Sequence, residues 1–203
     1  MKTRLFSFIM ILALSASFVM AQSTEKGKTS FAILGGLNFQ NLNGKASNGD
    51  KLANSMILGY HFGGNVQIPI APEFYFQPGL MFTTKGAKNS LSTTKLSYIE
   101  MPMNMVYKAL LGSGYVMVGF GPYIAYGMGG KETSSGSSVT LKSGTDIKAF
   151  DAGGNIFVGY EMASGMFFQL NTQFGMLKIN PTIPNDKSSV KNTGFGLSLG
   201  YRF

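Results

Sequence analysis

Cysteine and tryptophan are absent from this sequence of 203 residues, histidine occurs once, and only 13% of the residues are Asp, Glu, Lys or Arg. Without cysteine there is no disulfide framework, no thiolate nucleophile and no thiolate metal site, and the attachment residue of a lipoprotein anchor is missing. A lone His61 cannot supply a histidine metal cluster. No Gly-x-Ser-x-Gly elbow occurs, and the glycine-rich "YGMGGK" has neither the spacing of a phosphate loop nor a helix after it. No cofactor or metal site is therefore expected. Beyond the first 21 residues no apolar run approaches the roughly 18 residues of a spanning helix.

The chain is nevertheless 44% hydrophobic, with 27 glycines. It is too apolar for a disordered chain and too poor in charge for an ordinary water-facing surface. Lys2 and Arg4 precede the apolar "LFSFIMILALSASFVMA", and Val19-Met20-Ala21 offers small residues for cleavage before Gln22. Residues 1–21 therefore read as a secretory signal peptide and 22–29 as a short lead. Residues 30–203 remain as one domain.

Alternation with a period of two runs through that domain, and the strand template outscores the helix template nearly everywhere. It predicts eight strands, near 30–41, 55–68, 74–85, 95–108, 115–129, 148–162, 166–178 and 195–203. Each has one face of Leu, Ile, Val, Met, Phe and Tyr. The other face mixes Gly with Asn, Gln, Ser, Thr and a few charges. The connections alternate between short ("PIAPE", "ALLGSG", "ASG") and long ("NGKASNGDKLAN", "KGAKNSLSTT", "GKETSSGSSVTLKSGTD", "INPTIPNDKSSVKN"). In an up-and-down meander all long loops then share one end, as in outer-membrane barrels. A soluble eight-stranded barrel would have to pack every large apolar residue into a narrow interior, which it cannot hold. Turned outward, those residues face lipid, with the polar face inside. The expected fold is an all-β, eight-stranded, antiparallel up-and-down transmembrane β-barrel in the outer membrane.

"SYIEMPMNMVYKALLGSGYVMVGFGPYIAYGMGGK" (residues 97–131) resembles the PorT-like outer-membrane β-barrel domain family. The likeness lies in Tyr98-Ile99-Glu100-Met101-Pro102, in the Gly121-Pro122-Tyr123 step and in the later "FDAGGNIFVGYEM". It extends over nearly the whole mature chain. It implies the barrel fold and the outer-membrane location, and adds little about activity. The terminal Phe203, preceded by alternating apolar residues, also resembles the assembly signal of such barrels, which implies the outer-membrane insertion machinery as a partner.

Two sets of side chains are candidates for function. His61, Glu100, Asp151, Glu161 and Arg202 lie on polar faces and are expected to form a lumen network, with an Arg202–Glu161 ion pair plugging the short-turn end. Lys85, Lys88, Lys95, Lys131, Lys142, Lys148, Lys187 and Lys191 fall in long loops or strand ends and are expected on the outer rim. There they would meet lipopolysaccharide phosphates or a protein partner, with outer-membrane lipids around the barrel. A signal-bearing chain without an aromatic-basic surface does not suit nucleic acid. The role expected is structural or surface-interactive and not enzymatic. A small channel or secretion accessory is the alternative, and a lipid A-modifying enzyme a more distant one.

Overall fold

The computed structural model describes residues 28–183 and 186–203. The signal-peptide reading of residues 1–21 and most of the 22–29 lead fall outside the described residues. Among the described residues nine strands follow in order: β1 (Ser30–Lys45), β2 (Ile57–Ala71), β3 (Phe74–Lys88), β4 (Ser92–Leu111), β5 (Gly114–Ser134), β6 (Ser137–Leu141), β7 (Phe150–Glu161), β8 (Met166–Gly175) and β9 (Ser189–Arg202). Eight of them form a closed antiparallel ring in the order β1–β2–β3–β4–β5–β7–β8–β9, with β9 returning to β1. β6 stands outside the ring, paired only with the upper part of β5.

Closure is required by the solvent. Hydrocarbon offers no partner for a backbone N–H or C=O, so a sheet crosses it only when no edge is left open. The pattern that selects these strands is inverted relative to a water-soluble barrel. Phe62, Leu80, Phe120, Leu170 and Leu199 are exposed on the outside, while Asn38, Gln67, Lys85, Glu100, Asp151 and Arg202 are buried inside.

Two of the predicted long loops are shorter than the sequence suggested. β3 and β4 run on as a hairpin to Lys88 and Ser92, and β5 and β6 turn at Ser135-Gly136. Ser and Thr residues there pair across the strands (Ser92 with Ser134, Thr93 with Thr133, Thr133 with Ser138), so pairing continues above the apolar band. The narrow interior is fitted by setting glycine opposite aromatic residues. A Cβ on Gly119 would come within 2.2 Å of the Phe157 ring, and one on Gly200 within 2.3 Å of the Phe167 ring.

The seam between β9 and β1 has its own clasp. The Phe203 amide donates to the Phe31 carbonyl at 2.8 Å, and the two rings stack at 6.0 Å.

Leu199 stands in the middle of the outward run from Phe195 to Phe203. Leu199→Arg is expected to cost about 2–4 kcal/mol of barrel stability, the cost of a cation on the lipid face near mid-bilayer. Gln169→Ala, on the lumen face, should cost less. Urea unfolding in lipid vesicles ranks the two, and the reverse order would contradict the assignment of faces. A tag inserted at Ser135 should be labelled on intact cells and one at Ser164 should not; the opposite pattern would invert the orientation.

Candidate functional site

Three layers of polar side chains fill the lumen, each placed by strand alternation. At the short-turn end, Glu161 of β7 accepts from Lys108 of β4 at 2.6 Å and from Arg202 of β9 at 2.8 Å. The guanidinium also donates to Asn65 at 3.3 Å and lies over the Phe167 ring, and the Lys108 ammonium lies over Tyr115. The structure thus brings Glu161 and Arg202 together and adds Lys108, which the sequence reading left out. Its even spacing from Glu100 and Asn104 on β4 was the signal that it points inward.

Nearer the long-loop end, Lys85 sits between Glu100 at 2.8 Å and Asp151 at 3.7 Å. Its ammonium lies 4.4 Å from the centre of the Tyr123 ring. Asn192 and Tyr123 donate to Asp151, and Gln173 donates to Glu100. Lys85 was expected on the outer rim and is instead 1% exposed. The alternation of β3 through Gln77, Gly79, Met81 and Thr83 continues to it, and two buried carboxylates require a cation. Above this layer Leu42, Leu96, Ile147 and Ile179 close the mouth as an apolar cap. The Lys148 amide donates to the Ile179 carbonyl, tying the two loops together there.

Between the ionic layers lies His61. Asn38 donates its amide N–H to Thr83 Oγ1 and, at 3.4 Å, to the Thr84 carbonyl, which can only accept. Its Oδ1 therefore faces His61 and takes the Nδ1 proton at 2.5 Å, leaving Nε2 to accept from the Ser198 hydroxyl at 2.7 Å. The order of serine, histidine and amide is that of a hydrolytic triad. The cavity beside it measures about 60 Å³. That admits a few waters and no acyl substrate. What the three residues accomplish is a hydrogen-bonded link between β9, β2 and β1.

The remaining basic residues lie toward the long-loop end of the ring. Lys88, Lys95, Lys131, Lys142 and Lys187 are exposed there, and Lys148 and Lys191 are half-buried.

A closed eight-stranded ring, apolar outside and polar within, is a small integral outer-membrane β-barrel protein. The outer membrane protein beta-barrel domain model matches residues 6–203, and the chain belongs to that family. No curated protein sequence matches it. Among solved structures it is similar to Neisserial surface protein A, at 12% identity and a TM-score of 0.52, over 87% of this chain and 100% of that one. Ail of Yersinia pestis follows at 14% identity, a TM-score of 0.44 and coverage of 88% and 100%. OprG of Pseudomonas aeruginosa gives 11%, 0.47, 88% and 97%. At such identities the likeness to the first is one of fold alone.

The two ionic layers predict an order of stabilities. Glu161 faces two cations and Lys85 faces two anions, so removing either strands a pair of like charges in the lumen. Glu161→Gln and Lys85→Met should each cost about 3–5 kcal/mol. Arg202→Met and Glu100→Gln should cost less, because Lys108 still pairs with Glu161 and Asp151 still pairs with Lys85. Unfolding midpoints of the four variants in vesicles test the order.

Proposed function

We propose that this barrel acts through its outer surface, as a structural and interaction protein whose basic rim engages the phosphates of lipopolysaccharide. The observation that supports this best is the lumen itself. An ionic layer lies near each end, an apolar cap covers the outer mouth, and the cavity between them is about 60 Å³. Solute transport has no path through such a plug, whereas exposed lysines remain at the outer end. A protein partner gripping the same loops is the variant of this reading in which the counter-charge is a carboxylate.

The PorT-like motifs of Tyr98–Pro102 and Gly121-Pro122-Tyr123 support a narrower placement within the family, with service to a secretion system as the second reading. Crosslinks from the outer loops to other envelope proteins would favour that second reading.

Purified protein in detergent should capture lipopolysaccharide, and capture should weaken steeply between low and high salt, since exposed charges are screened within about 10 Å at 0.1 M. In planar bilayers it should show no steady conductance, and lipid A extracted from cells should keep its mass. Salt-independent capture, an open-pore current or a changed lipid A mass would each replace the reading.

A further inference from the structure

One face of the barrel carries a basic cluster that the lumen does not use. Across the outward surface, residues align in rows by strand register. The row Phe82–Ile99–Tyr126–Phe150 belongs to the apolar band. Above it comes a row of small residues, Thr84–Ser97–Gly129, and above that Gly86–Lys95–Lys131. Lys95 and Lys131 are therefore direct cross-strand neighbours, both exposed, with Lys88 diagonally above them. Like charges set directly opposite work against a sheet unless a counter-charge lies between them. Among the described residues no carboxylate forms an ion pair with any of the three. The nearest acid in sequence, Glu132, points to the other face, where it accepts from Ser92.

A β-bulge creates this pairing. Tyr98 pairs with Gly127 and Ser97 with Gly129, so Met128 is left over, and Gly129 takes a φ of 112°. Below the bulge the odd-numbered residues of β5, such as Met117, Tyr123 and Ala125, point into the lumen. The extra residue reverses that alternation and turns Lys131 outward, beside Lys95.

The small-residue row beneath the lysines leaves a groove of about 660 Å³ that descends to Leu58, Tyr60 and Phe82. Four residues along a tilted strand separate the lysine row from the apolar row, roughly 10 Å in height, which is headgroup depth. We infer that this groove is a binding site for one phosphorylated, acylated glycolipid of the outer leaflet. A phosphate lies between Lys95 and Lys131, and an acyl chain lies against Leu58, Tyr60 and Phe82. Charge complementarity and continuity with the lipid-facing band select this occupant. Phosphate alone would leave the apolar floor open to water, and an uncharged lipid would leave the lysines opposed.

The inference rests on the lipopolysaccharide reading above and narrows it to one site. The test titrates the folded full chain in detergent with lipid A and with dephosphorylated lipid A, and counts bound lipid by native mass spectrometry. Lys95→Ala/Lys131→Ala is expected to bind lipid A about 30-fold more weakly. The unaltered chain should bind dephosphorylated lipid A about as weakly. Lys187→Ala/Lys191→Ala, with the same loss of charge on β9 and the loop before it, should stay within about twofold of the unaltered chain. If the unaltered chain binds lipid A but both double variants bind equally well or lose equally, this site is wrong and the broader reading stands. Equal binding of the dephosphorylated lipid also overturns the site. If the unaltered chain holds no lipid A, the broader reading fails and takes the site with it.

Discussion

Every feature of this molecule follows from the requirement that backbone hydrogen bonds be completed where no water can complete them. The β9–β1 pairing closes the ring, and with Phe203 bonded to Phe31 the seam extends to the last residue. Once closed, an eight-stranded ring has a fixed and narrow interior. Everything then placed inside must fit at side-chain resolution. That is why glycine faces Phe157 and Phe167, and why the remaining space is no larger than a few waters.

The charges inside obey the same geometry. Among the described residues, three cations (Lys85, Lys108, Arg202) and three anions (Glu100, Asp151, Glu161) form two ionic layers in the lumen, which balance together while neither layer is neutral by itself. The outer layer has one excess anion and the inner layer one excess cation. Tyr123 and Asn192 donate to Asp151, while the Phe167 and Tyr115 rings face the cations below. These partners compensate the imbalance in the layer where it arises. Such a filling holds the barrel rigid and leaves little open space inside it.

On that surface the distribution of charge is uneven for a structural reason. β3, β4, β5 and β6 extend above the band as one continuous sheet, and the bulge at Met128 decides which side of it Lys131 occupies. The same bulge sets Gly129 beside Thr84 and Ser97, between the lysines and the aromatics, so cation and apolar groove come as one unit.

Much of this was legible in the sequence, because a period of two is preserved by any strand. The eight ring strands, the outward Leu199, and the inward Glu161 and Arg202 follow from alternation and composition alone. The strand ends did not follow, since Ser and Thr pair as well in a hairpin as they hydrate in a loop. Lys85 was therefore placed on the rim although its alternation pointed inward. Lys131 is the opposite case: unbroken alternation would have sent it into the lumen. A bulge is a fact of register between two strands, and register is set by packing across the closed ring. One strand's sequence specifies which residues share a face; only the tertiary structure decides where that face is exchanged for the other.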